Sequence, residues 1–226
     1  MIPAGLRAFC LAGFVAATVA TAGPLDRLSE TQFGLRPELH QPIDADNLDR
    51  ALLAKAIFHE SNQVRRELNL PRFKPSRHAD EAAEMQASFS AFRGRSGHDN
   101  PMPGQARPFD RIERTGLRVA LVAENVASSP ILQPLSPDGS YGAVVRGGRR
   151  IFVDPASGAE LAPHTYASFA RRVVADWMAS PGHRANLVNP ELTLLGCAVW
   201  PARSTTGADI LISVQVFATP SVRLAQ

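Results

Sequence analysis

Apolar positions change their period from one stretch of the chain to the next. Leu48, Leu52, Ala56, Val64 and Leu68 recur at helical spacing, which predicts a helix capped by Asp44 or Asp46 and ended by Pro71. Ala79, Ala82, Ala83, Gln86 and Phe89 share one helical face after Pro75-Ser76, with Gly94 as the stop. The small alanines suggest close helix packing. A turn-rich loop follows, with Gly97, Asn100-Pro101 and Pro103-Gly104 around His98. Pro108 to Arg114 reads as a short helix with Phe109 and Ile112 turned inward, closed by Gly116.

The second half is richer in strand signals. Val119 to Ala127 is apolar except for Glu124-Asn125. Residues 128–163 are rich in Pro, Gly and Ser and read as a surface insert. Within it, the runs flanking Gly147-Gly148 predict a hairpin with a two-residue turn. Phe169, Val173, Val174 and Trp177 form a stripe on a helix from about His164 to Ala179, with Arg171, Arg172 and Asp176 facing away. Pro181-Gly182 breaks that helix. Leu192 to Trp200 and Ile210 to Ala218 predict a closing antiparallel hairpin. Helices come first and strands last, with little βαβ alternation. The expected class is α+β, with helices packed on an antiparallel sheet.

Residues 1–22 do not belong to this pattern. Arg7 is their only charge, Ala8 to Ala22 is apolar and small, and the stretch ends Ala20-Thr21-Ala22. That reads as a cleaved signal peptide, too short for a comfortable membrane span, so no stable span is expected after cleavage. The product is then exported, to a periplasm or the medium. Removing 22 of 226 residues leaves 204, enough for one domain with a sizeable core. Residues 23–45, dotted with Pro24, Pro37 and Pro42, read as an N-terminal arm with little regular structure, ahead of a domain at 46–220. Cys10 leaves with the leader, so Cys197 stands alone among apolar neighbours, as a buried, inert thiol.

Composition narrows the function. Lys and Arg number 24 against 21 Asp and Glu, a formal charge of +3. No basic run exceeds a doublet such as Arg65-Arg66, so nucleic acid is excluded as a partner. There is no G-x-S-x-G motif for a serine hydrolase. Ser180, just before Pro181-Gly182, serves as a helix terminus. Glu124 has no acidic mate for glycoside cleavage. Of the six histidines, His40, His59 and His78 read as solvated, and His164 begins a helix. His98 and His183 each lie in a Gly/Pro-rich loop beside a helix end, where a side chain can project into a cleft. Glu124 sits among Val122, Ala123 and Val126, where a carboxylate must be paired, hydrogen-bonded, metal-bound or turned to solvent. Two imidazoles and a carboxylate suit a divalent ion such as zinc. No local ligand motif fixes that choice.

These residues resemble a family. Ala123-Glu124-Asn125-Val126-Ala127 and Trp177-Met178-Ala179-Ser180-Pro181-Gly182-His183-Arg184-Ala185-Asn186-Leu187 are similar to motifs of the bacterial branch of the CAP superfamily. That superfamily includes cysteine-rich secretory proteins, antigen 5 and pathogenesis-related class 1 proteins. Asn62 with Arg65, the Gly97-His98-Asp99-Asn100-Pro101 loop, the Arg111-to-Gly116 step, Gly196 to Val199 and Gln215-Val216-Phe217 agree in order. The match covers roughly residues 48–127 and 164–218. The resemblance implies an α-β-α sandwich with a central cleft faced by His98, Glu124 and His183. Ser180 stands where many eukaryotic members carry a second Glu, and Ser61 where many carry a His; residues 128–163 have no recognised counterpart.

Three functions follow as expectations. The first is a monomeric binding module: His98 and His183 hold a divalent metal such as zinc, and the cleft, with Glu124 and Ser180, takes a small apolar or lipid-like ligand or another protein. The second is a metal-assisted hydrolase of peptide or envelope material, with Glu124 as the catalytic base. The third is a structural envelope protein. Asn125 and Asn186 are expected to brace loop backbone, and Trp177 to lie in the core.

Overall fold

The structure, a computed structural model, describes Leu25 and residues 28–134, 139–204 and 207–221. The expected signal peptide at 1–22 lies outside these residues. The first long helix, α2 (Arg50–Glu67), follows a short α1 (Glu30–Gly34) and a 3-10 helix (Pro37–His40). Its cap is Asp49, whose side chain accepts from the Leu52 amide, rather than Asp44 or Asp46. It stops before Pro71. Asn69 takes a positive φ of 55° and the Leu70 amide bonds back to the Arg65 carbonyl, closing the last turn.

A two-residue strand, β1 (Lys74–Pro75), leads into α3 (Arg77–Phe92), which starts after Pro75-Ser76 as expected; the Ser76 side chain caps it. Next come α4 (Pro108–Arg114) and the long strand β2 (Val119–Pro130). The insert carries β3 (Gly142–Arg146) and β4 (Arg149–Val153), paired across Gly147-Gly148. Helices α5 (Tyr166–Ala179) and α6 (Pro181–Val188) precede the closing pair, β5 (Leu194–Arg203) and β6 (Asp209–Pro220).

The main sheet has the order β1-β5-β6-β2. β5 and β2 flank β6 antiparallel; the short β1 joins β5 in parallel, a departure from a purely antiparallel sheet. Each face carries its own core. On one side Leu53, Ile57, Phe169, Val173 and Trp177 of α2 and α5 pack on Leu195, Leu211 and Phe217. On the other, Ala79, Ala82, Ala83 and Ile112 of α3 and α4 pack on Ile212, Val214 and Val216. The result is an α-β-α sandwich, each strand presenting alternate residues to opposite helical layers. Trp177 is buried in the first core. The alanine face of α3 has a direct cause. A Cβ on Gly196 of β5 would fall 2.1 Å from the backbone of Ala79 and Asp80, so helix and strand touch main chain to main chain.

Three expectations are corrected here. The arm is ordered: Phe33, Leu39 and Ile43 are buried in the core, and the Ile43 amide bonds to the His164 carbonyl. These apolar residues outweigh the polar positions around them. The arm in turn shields His59, which stacks on Phe33 at 4.2 Å and is half-buried rather than solvated. Phe109 is 39 % exposed instead of inward, leaving Ile112 as the buried apolar residue of α4. His164 is buried against Ser168, and burial pushes its pKa down to about 4. Cys197 is buried and free, and burial raises its thiol pKa.

Candidate functional site

Strand β2 lies at the edge of the main sheet, and its alternation separates the two residues of the Glu124-Asn125 pair. Glu124 faces the α3–α4 layer and is 5 % exposed. One carboxylate oxygen meets Nδ1 of His98 at 2.9 Å, and the other accepts from Nη2 of Arg111 at 2.5 Å. Arg111 is fully buried on α4, and its Nη1 donates to the carbonyls of Gln105, at 2.7 Å, and of His98, at 3.3 Å. One guanidinium thus holds both the acid and the loop that carries the imidazole. Gln86 of α3 secures the same loop through the Gly97 carbonyl.

Asn125 faces the other way. Its Nδ2 donates to Gln215 of β6 and to the carbonyl of His183, each at 3.2 Å. Asn186 returns the contact, donating to Asn125 Oδ1 at 2.9 Å and to the Glu124 carbonyl at 3.3 Å. Both asparagines brace backbone, but of helix α6 and strand β2 rather than of a loop, and together they moor α6 against the edge strand.

His183 sits in the first turn of α6, not in a loop. Pro181-Gly182 does end α5, but Pro is also favoured at the first position of a helix, and a new one begins there. Ser180 is the shared residue of the two helices. Its amide donates to the Trp177 carbonyl and its carbonyl accepts from the Arg184 amide. Its role in the structure is that joint.

The two imidazoles are tuned in opposite directions. The hydrogen bond to Glu124 raises the pKa of His98 against the opposing cost of burial. His183 is lowered by burial and, next, by the charge of His98. One ring favours its charged form and the other its neutral form.

Both oxygens of Glu124 are engaged, so the free donors at this place are the imidazoles. Among the described residues no group of three or more His, Cys, Asp or Glu side chains is arranged to hold a metal. A catalytic zinc centre takes three protein ligands and a water. Two imidazoles fit the protein's share of an ion completed by water or a bound molecule. They do not fit a full three-ligand centre.

A pocket of about 240 Å³ lies away from these residues, between the arm, α2 and α5. Phe33, Leu39, His59 and Glu60 are among its lining; His98, Glu124 and His183 are not.

Sequence reasoning did not assign a site role to Arg111. Its position one residue before the inward Ile112 and 13 before Glu124 was visible, but an arginine in a short polar helix reads as solvated. The demand of a buried carboxylate for a cation was the usable signal.

The cysteine-rich secretory protein family model, designated CAP, matches residues 58–217. No curated protein matches the sequence. An extracellular SCP-domain protein of Bacillus anthracis is similar in structure, with 19 % identity and a TM-score of 0.50, covering 79 % of this chain and 44 % of that one. The chain therefore spans less than half the length of that relative. An outer surface protein of Borrelia burgdorferi aligns at 18 % identity and a TM-score of 0.48, over 80 % of this chain and 99 % of the other. The CAP domain of an enterococcal protein aligns at 13 % identity and a TM-score of 0.46, over 92 % and 84 %.

Proposed function

Because the chain belongs to the CAP, or cysteine-rich secretory protein, family, we propose that it is an exported binding module whose His98–His183 surface holds a divalent ion together with a ligand. Export rests on the leader pattern of residues 1–22. No helix among the described residues is long and apolar enough to cross a membrane.

The observation that carries the binding reading is the 2.9 Å contact between His98 Nδ1 and Glu124. A carboxylate that takes one ring N–H fixes the tautomer and leaves the other nitrogen for a metal. His98 would contribute Nε2 and the neutral-leaning His183 its own ring. When bound, the ion supplies a Lewis-acidic anchor for a polar group of the ligand. Met102, on the His98 loop, and Phe109, on the Arg111 helix, are 51 % and 39 % exposed. They offer apolar contact to a small lipid-like molecule or a partner protein.

Glu124 serves here as a positioning residue. A general base must reach the proton that it abstracts. With one oxygen on His98, the other on Arg111 and a side chain 1 % exposed, Glu124 is turned away from any bound water, so the hydrolase reading loses its base.

Zinc titration followed by calorimetry tests the proposal. Wild type is expected to bind, and His98→Ala and His183→Ala each to weaken binding at least tenfold, roughly the loss of one ligand. Equal affinity in all three proteins refutes the shared ion.

A further inference from the structure

The β3–β4 hairpin plays no part in the site just described, and its surface is basic and partly apolar. From residue 139 to residue 153 the sequence has three arginines and no acidic residue. Gly147 and Gly148 both adopt positive φ, 57° and 75°, which makes the tight two-residue turn that fits a twisted hairpin. That turn places Arg146 directly opposite Arg149, with Arg150 opposite Val145. Like charges facing across a strand pair are destabilising. Among the described residues none of the three pairs with a carboxylate: Arg146 donates to the Gly158 carbonyl, Arg150 lies over the Phe152 ring at 5.5 Å, and Arg149 has no partner. Beside them the apolar side chains of Val144 and Val145 are 36 % and 74 % exposed. The root, by contrast, is fixed: Val153 and Asp154 are buried, and the Leu161 amide bonds to the Phe152 carbonyl.

We propose that this hairpin is a docking element for an anionic lipid bilayer. Uncompensated arginines at the tip meet acidic headgroups, and the charge repulsion built into the turn is relieved there. The exposed valines alongside favour a membrane over a soluble polyanion, because only the bilayer boundary offers apolar depth next to fixed negative charge. Arginine suits such a position, keeping its head among phosphates while its stem covers apolar surface. The site residues His98 and His183 are separate from this element, so the two readings stand or fall apart.

Co-sedimentation with vesicles tests it, using protein recovered after export from an expressing bacterium. Wild type is expected to bind mixed phosphatidylglycerol–phosphatidylcholine vesicles and not phosphatidylcholine alone, with affinity falling as salt rises. Each arginine contributes roughly fivefold, so R146Q/R149Q/R150Q loses on the order of a hundredfold. R146K/R149K/R150K restores most of the binding, and V144S/V145S weakens it several-fold. These side chains are exposed, and unchanged near-ultraviolet circular dichroism checks that each variant folds. Undiminished vesicle binding by the glutamine triple variant overturns the proposal. So does retention on heparin by a wild-type protein that ignores the vesicles, which would assign the tip to a soluble polyanion.

Discussion

Arg111 and Glu124 form an ion pair sealed between α4 and the edge strand, their side chains 0 % and 1 % exposed and 2.5 Å apart. Neither charge is tolerable there alone. Removing one partner of a buried pair strands the other, at about 3–5 kcal/mol, whereas replacing both with apolar side chains is often neutral. Arg111→Met is therefore expected to lose about 3–5 kcal/mol in urea unfolding. The double variant Arg111→Met/Glu124→Leu is expected to recover a large part of that loss. Strictly additive losses would contradict the coupling.

The two site histidines are expected to titrate apart. Nuclear magnetic resonance should place His98 above the ordinary histidine value and His183 below it, and Glu124→Gln should bring His98 down. The sign for stability follows. A raised folded-state pKa means that the His98–Glu124 contribution is fully present below the unfolded value of about 6.5 and disappears as pH rises through the folded value. Coincident titration of the two rings would remove the electrostatic basis of the site.

His164 works in the opposite sense. Its folded pKa of about 4 means that the unfolded chain binds a proton first as pH falls. Stability should be full above about 6.5 and decline between there and about 4. His164→Asn should flatten that part of the melting-temperature profile. An unchanged acid limb would assign the loss to other groups.

Gly196→Ala is expected to cost about 3 kcal/mol or more, at the upper end of overpacking penalties. The added methyl meets backbone atoms at 2.1 Å, and backbone cannot rotate away. Chemical denaturation measures it; a change under about 1 kcal/mol would mean that α3 stands off the sheet more than described.

Much of this architecture was legible because periodicity reports burial. The Phe169–Val173–Trp177 stripe, the start of α3 after Pro75-Ser76, the Gly147-Gly148 turn and the closing strand pair all lie where apolar spacing and turn chemistry put them. The arm was misread because its buried residues, Phe33, Leu39 and Ile43, are spaced to suit a docking groove rather than a helix or strand period. Pro181-Gly182 stops one helix and starts another with the same residues, and only the partners across space decide which reading prevails. The site was legible in its members but not in its wiring. His98, Glu124 and His183 were named, yet nothing local says that a guanidinium 13 residues earlier holds the acid, or that Asn125 and Asn186 moor α6. Those contacts exist only once β2 has taken its place at the sheet edge.

In the proposed site two imidazoles, one from a loop and one from a helix, share one ion. A crystal structure of zinc-saturated protein, with anomalous scattering at the zinc edge, measures this directly. The expected result is one zinc with a ring nitrogen of His98 and one of His183 each at about 2.0–2.1 Å, while Glu124 stays on Nδ1 of His98. Zinc bound by only one of the rings, or only at other residues, contradicts it.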